Sequence, residues 1–222
     1  MTTTASRPAP TDFPPGRDRL VLYDVSWDEY EKMLSAFRER AERLTYDGGT
    51  LEIMPPRPEH ERPSRFLHDL ITALAEELLQ EADAYGSTTF RREDLKRGIE
   101  PDECYYIANA SRVQGLAEID LAKDPPPDLA VEVDVTHSSV DKQSIYAAIR
   151  VPELWRLDHG QIEILLLEPD GQYRRSDRSG CFPSLPASIL QEFLDRWSVA
   201  GHMATLREFR EWIRTNRAKK TT

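Results

Sequence analysis

The segment Asp128–Val135, DLAVEVDV, places three carboxylates at alternate positions of an apolar run. Side chains alternate faces along a β-strand. Leu129, Val131, Val133 and Val135 therefore share one face, and Asp128, Ala130, Glu132 and Asp134 share the other. Alternate residues lie about 6.6 Å apart along a strand. Like charges at that spacing oppose one another's ionisation unless water or a cation compensates. A hard divalent cation such as Mg2+, which takes oxygen ligands, is the natural compensation. A half-exposed strand of any function also carries one apolar and one polar face. Two features argue for chemistry: the strand sits between helical segments, where both faces become covered, and a second acidic element, Pro101-Asp102, precedes it at an interval suited to a neighbouring strand.

The elements that must position these groups are legible from periodicity. Ser26 and Glu29 have capping-box spacing, and Tyr30, Met33, Leu34, Phe37 and Ala41 recur as a helical stripe. Arg43–Met54 reads as a hairpin turning at Asp47-Gly48-Gly49. A long amphipathic helix is predicted from about Glu61 to Glu81, with Phe66, Leu67, Leu70, Ile71, Leu74 and Leu78 inward and Pro63 in its first turn. Strands are predicted at Tyr85–Arg91 and Ile99–Ala108, then a polar loop to Pro127 and the acidic strand. A short helix over Val140–Ile149 follows, with Asp141 at its start. ELWRLD and the hairpin QIEILLLEPDGQYRR continue the sheet, and helices close the chain at about Ala187–Trp197 and Thr205–Arg217. This order predicts one α/β domain over residues 20–217, with a tail at 1–19 and a short tail at 218–222.

Pro101-Asp102 followed by Asp128 and Glu132 in PPDLAVEV resembles the PD-(D/E)XK nuclease superfamily. Within it the chain is similar to the Uma family of endonucleases. The likeness runs through RLTYDGGTLEIMPP, the helix after PEHERP, IEPDECYYI, PPDLAVEVDVT and IYAAIRVPELWRLD with its downstream hairpin. The resemblance implies a restriction-endonuclease-like αβββαβ core, a mixed central sheet flanked by helices, Mg2+ dependence with Mn2+ substituting, and cleavage of phosphodiester bonds in DNA. Asp102 and Glu132 would be metal ligands, with the Val133 carbonyl as a further one. The lysine that the superfamily carries two residues after the glutamate is absent: that position is Asp134. Lys142, one helical turn before Tyr146, matches a position where Uma-like chains carry lysine and is the candidate replacement. Otherwise Asp134 binds a second metal, or the protein is a slow or inactive member. Asp128 falls in the family's PDL motif as a candidate catalytic residue, with a start-of-strand aspartate binding backbone amides as its rival role.

Glu59 and His60 sit where an extra acidic or polar site residue is expected, though an exposed loop histidine explains His60 equally well. Tyr146 either supports the site or packs, with packing the favoured reading, and Trp155 and Trp197 read as core rather than as base-stacking platforms. His137 with Ser138 and Ser139 resembles a nucleophile pair only superficially, since no G-x-S-x-G elbow exists. Glycine-rich phosphate loops are absent as well. Cys104 and Cys181 form no metal motif, no apolar run is long enough to span a bilayer, and the Pro- and Thr-rich N-terminus lacks a signal-peptide pattern. A cytoplasmic protein is expected, and a homodimer is left open.

Charge opposes a DNA substrate: 39 Asp and Glu stand against 29 Lys and Arg, a net charge of −10. The clusters Arg91, Arg92, Lys96, Arg97 and Arg214, Arg217, Lys219, Lys220 are either local basic surface or ordinary solvated charge. The alternative to an endonuclease is a catalytically impaired interaction module that retains the fold. A metal phosphodiesterase acting on RNA or a small substrate is a third reading.

Overall fold

The computed structural model describes residues 19–134 and 138–219. Strand β1 (Leu20–Leu22) leads into helix α1 (Trp27–Phe37). The Ser26 hydroxyl accepts from the Glu29 N–H, and the Glu29 carboxylate accepts from the Ser26 N–H at 2.8 Å, completing the predicted capping box. The stripe is shorter than its spacing suggests: the helix ends at Phe37, and Ala41 is exposed beyond it. Strands β2 (Arg43–Asp47) and β3 (Thr50–Met54) form the expected hairpin. Gly48 and Gly49 turn it at φ +51° and +109°, a conformation that strains residues bearing a Cβ.

Helix α2 (Pro58–Leu78) begins three residues before the predicted start. Pro58, not Pro63, occupies the first position, where a missing N–H costs nothing. Pro63 lies inside the helix, where it cannot donate a helical hydrogen bond. The earlier start moves Glu59 and His60 from a connector onto the helix's first turn. Short strands β4 (Asp83–Ala84), β5 (Phe90–Arg92) and β6 (Arg97–Ile99) follow, then β7 (Glu103–Tyr106). Of the predicted strand Tyr85–Arg91, only Phe90 and Arg91 lie in a strand, β5, and residues 85–89 form a loop after β4. The predicted strand Ile99–Ala108 is divided, because the chain leaves one sheet after Ile99 and enters another at Glu103. Pro101, which has no N–H to offer a ladder, lies in that transition.

The remaining elements are α3 (Ala110–Val113), β8 (Leu129–Asp134), α4 (Lys142–Ala148), β9 (Glu153–Asp158), β10 (Gln161–Leu167), β11 (Tyr173–Ser176), α5 (Ala187–Ala200) and α6 (His202–Lys219). The strands make two sheets, an antiparallel one in the order β1-β3-β2-β6-β5 and a mixed one in the order β11-β10-β9-β8-β7-β4. Within the second sheet β8 and β9 are parallel, and β7 is antiparallel to both β8 and β4. The succession α2-β4-β7-β8-α4-β9 is the αβββαβ core of a restriction-endonuclease-like fold.

Both faces of β8 are covered, as the α/β pattern requires. Leu129, Val131 and Val133 pack with Phe66, Leu70 and Ile71 of α2 in one buried cluster, which also takes in Phe193 and Phe209 of α5 and α6. Ala130 packs on the other side with Ile145 and Tyr146 of α4. Full burial of each large apolar side chain contributes roughly 1.5–3 kcal/mol, so packing rather than local helix propensity holds α2 against the sheet. Trp155 is fully buried, and Trp197 stacks on Phe66 with ring centroids 4.8 Å apart, so both belong to the core. The predicted face member Val135 lies outside the described residues, as do residues 1–18 and 220–222.

Candidate active site

The last paired residues of β7 and β8 are Glu103 and Val131, so the ladder ends before it reaches Val133. Two side chains complete Val133's hydrogen bonding in place of a longer β7. Its N–H donates to Asp102 Oδ2 at 2.6 Å, and its carbonyl lies 2.8 Å from His60 Nδ1. The latter contact requires the imidazole proton on Nδ1, because a carbonyl only accepts. His60 is buried, not an exposed loop residue. The other Asp102 oxygen pairs with Arg43 of β2, which also meets Glu61 of α2 at 3.0 Å. Arg43 therefore ties the antiparallel sheet to the mixed sheet at this point.

Continuing the β7–β8 register by one residue sets Asp102 opposite Glu132. The Glu132 side chain turns toward α4 and is almost completely buried. Lys142 Nζ donates to its Oε2 at 2.5 Å, and the Tyr146 hydroxyl donates to its Oε1. Lys142 and Tyr146 stand four residues apart, the helical spacing that puts two side chains on one face. Lys142 does reach the site from the following helix, and Tyr146 supports Glu132 rather than merely packing. Burial acts against the ammonium, but the carboxylates of Glu132, Asp134 and Glu52 outweigh it and raise the Lys142 pKa above the ordinary lysine value. Lys142 is thus a fixed cation and not a base. Burial, reinforced by the Glu132 charge, holds Tyr146 protonated as a hydrogen-bond donor.

Asp134 occupies the position of the missing lysine and accepts from Arg156 Nε at 2.8 Å. Arg156 Nη2 lies 3.1 Å from Asp158. The carboxylates that alternation places on one face are consequently not left to repel one another. Arg43 neutralises Asp102, Lys142 neutralises Glu132 and Arg156 neutralises Asp134. A cavity of about 220 Å³ opens beside them.

Glu52 of β3, also buried, accepts from Ser138 Oγ at 2.9 Å and from the Ser139 N–H at 2.8 Å, pinning the chain after β8. Ser138 is thereby a structural partner of Glu52, while His137 lies outside the described residues. Arg43, Glu52 and Arg156 are the site residues that sequence reasoning missed. For Arg156 a signal existed, since an arginine in the strand ELWRLD is unusual beside apolar neighbours that pack as core.

Asp128 does something different. Its Oδ2 accepts from the backbone N–H groups of Ile107 and Asn109 at 2.7 and 2.9 Å, and its Oδ1 accepts from Asn109 Nδ2 at 2.6 Å. It lies four residues from Glu132, about 13 Å along a strand. The backbone-binding role is the one the structure shows, and the catalytic assignment is not carried further. Asp128→Ala is expected to lower stability by about 3 kcal/mol, because two backbone donors lose their acceptor in a buried setting. Chemical denaturation of the variant checks this, and a loss below about 1 kcal/mol contradicts the clamp role.

The donor chemistry fits a hard cation. Asp102, Glu132 and the Val133 carbonyl offer only oxygen atoms. Mg2+ is commonly held by one or two carboxylates, with water and substrate phosphate completing its shell. Among the described residues, no group of three or more His, Cys, Asp or Glu converges as a ready-made metal cage. Arg43 and Lys142 hold the two carboxylates in the meantime.

No curated protein gives a significant match. Among solved structures, a putative nuclease belonging to DUF820 from Anabaena variabilis is similar at 15% identity, covering 68% of this chain and 90% of that one with a TM-score of 0.45. The profile of the Uma2 family, described as "Putative restriction endonuclease", matches residues 27–200. That span takes in α1 through α5 and every residue gathered around Glu132, and so the chain belongs to the Uma2 family.

Proposed function

We propose that this protein is a divalent-metal-dependent endonuclease that hydrolyses phosphodiester bonds in DNA. The observation that carries the reading is the placement, at one end of the mixed sheet, of Glu132 on β8, Lys142 on α4 donating to it, and Asp102 just before β7 opposite Glu132 in register. Asp102, Glu132 and the Val133 carbonyl would hold Mg2+, with Mn2+ as a substitute. When bound, the cation supplies Lewis-acid neutralisation of phosphate charge and activation of water. Lys142 places a permanent positive charge where negative charge builds on the phosphate during displacement. Tyr146 and Lys142 orient the Glu132 carboxylate, while Asp102 and His60 lock the Val133 peptide in place.

A polyanion needs local positive surface on a chain of net charge −10. A second cleft, of about 420 Å³, is lined by Arg38, Arg40, Arg43 and Arg91 together with Glu42, Glu100 and Glu118, and Arg38, Arg43 and Arg91 are each paired with a carboxylate. Arg43 reaches from that cleft to Asp102. The basic clusters read from sequence are likewise largely neutralised. Arg92 pairs with Asp94, Arg97 with Asp47, and Arg214 with Glu77.

Incubation of supercoiled plasmid with Mn2+ or Mg2+ should yield nicked and linear products. A metal at 100 times its Kd stabilises the folded state by about 2.7 kcal/mol, a Tm rise of roughly 5–10 °C for a chain of this size. Asp102→Asn should lose both effects. Absence of a metal-dependent Tm rise in the wild type defeats the metal-dependent reading. A non-catalytic interaction module is favoured by one observation, the pairing of each site carboxylate with a protein cation. Intact duplex, single-stranded DNA and RNA after incubation, with oligonucleotide binding retained, selects that module.

A further inference from the structure

The superfamily's lysine follows its glutamate by two residues, and Asp134 stands there instead. We propose that, besides Lys142, the site holds a second cation on the next strand, where Arg156, aimed by Asp134, grips a phosphate of the nucleic acid. The proposal rests on the nuclease reading above and names the group that would contact its substrate.

Register makes the first argument. In the parallel pairing of β8 with β9, Arg156 stands directly beside Glu132. Paired residues on adjacent strands project from the same face, with the strands about 4.8 Å apart. Glu132, Asp134, Ser138, Lys142, Arg156 and Asp158 accordingly line the same cavity of about 220 Å³.

Accessibility makes the second. The Lys142 side chain is only 10% exposed and its ammonium is bonded to Glu132, whereas Arg156 is 29% exposed. Of the five guanidinium donors, Asp134 engages one at Nε and Asp158 meets the group at Nη2. The remaining fork matches the planar two-point recognition of a phosphate. Asp158 is the weaker and more exposed of the two holders, at 3.1 Å and 35% exposure, and it also contacts His159 at 2.5 Å. A phosphate can therefore displace Asp158, which keeps a partner, while the more buried Asp134 continues to orient the arginine.

Charge dictates the conditions of the test. Glu132, Asp134, Asp141 and Asp158 outnumber Lys142 and Arg156 around the cavity, so an anion enters most readily together with a divalent cation. Binding of a fluorescein-labelled 20-base-pair duplex should be measured with Ca2+ and with EDTA over a range of salt. In Ca2+, Arg156→Gln is expected to weaken binding about tenfold and to lower the salt slope by about 1. Arg156→Lys should recover only part of the loss, because an ammonium lacks the planar fork. Arg175→Gln, the same change of charge at an exposed position on β11, should stay within twofold of wild type. Asp158→Asn leaves the arginine in place and should tighten binding, which keeps the test decisive if Arg156→Gln proves unstable.

An Arg156→Gln variant that binds like wild type, or no more weakly than Arg175→Gln, overturns the proposal, as does an Asp158→Asn variant with unchanged or weakened binding. Plasmid cleavage separates this result from the reading beneath it. A wild type that binds through Arg156 but cuts nothing in Mn2+ refutes the nuclease and keeps the arginine grip. A wild type that cuts while Arg156→Gln binds and cuts equally well refutes the grip alone. A wild type that neither binds nor cuts refutes both.

Discussion

Glu132→Gln is expected to reduce Mn2+-dependent plasmid cleavage on the order of 1000-fold and to destabilise the protein at the same time. With Glu132 as a metal ligand, as proposed, its loss would remove several kcal/mol of transition-state stabilisation, and each 1.36 kcal/mol is a factor of ten in rate. The stability effect follows from burial. Lys142 and Glu132 form an ion pair in which both side chains are nearly inaccessible, and breaking a buried pair from one side costs roughly 3–5 kcal/mol because the surviving charge is stranded. On the strand's alternation alone, removing one of several like charges would relieve repulsion and spare stability. The pairing with Lys142 reverses that sign. The double variant Glu132→Gln/Lys142→Met should regain much of the lost stability while remaining inactive. Cleavage within tenfold of wild type by well-folded Glu132→Gln would remove Glu132 from the mechanism.

Lys142→Met is expected to lower the cleavage rate by about 100- to 1000-fold, the usual cost of deleting one group that stabilises developing charge. Metal binding should persist, because an ammonium does not ligate Mg2+ and its removal frees Glu132. The metal-dependent Tm rise should therefore equal or exceed that of wild type, although the apo protein melts earlier with Glu132 unpaired. Lys142→Arg should rescue poorly, since the bulkier planar group does not fit against a carboxylate also held by Tyr146. Single-turnover cleavage and thermal melts with and without Mn2+ measure the two effects separately. A Lys142→Met variant that cuts at the wild-type rate would leave Asp134 with a second metal as the better account of the missing lysine.

Much of this protein is written in short-range pattern. Period-two alternation in Leu129–Asp134, the capping box at Ser26, the Gly48-Gly49 turn and the apolar face of α2 each depend on residues a few positions apart. Local sterics and one-sided burial suffice to specify such features. Asp102, Glu132 and Lys142 were readable as a set only through the resemblance to the Uma family, whose motif order is legible without coordinates. Boundaries were less secure. Pro58 rather than the expected Pro63 starts α2, and local spacing does not reveal that Ile99 and Glu103 belong to different sheets.

Tertiary structure alone decided what surrounds the acids. Arg43 reaches Asp102 from another sheet, Glu52 meets Ser138 across 86 residues, and Arg156 comes beside Glu132 only through the parallel register of β8 with β9. Asp128 and Glu132 look equivalent along the strand, yet one binds the backbone amides of Ile107 and Asn109 and the other faces α4. The reason is physical: alternation specifies which face a side chain takes, whereas its charge partner depends on which strand lies alongside and in what register. A one-residue slip between β8 and β9 would set Glu132 beside a different residue and turn the facing side chains to the opposite face.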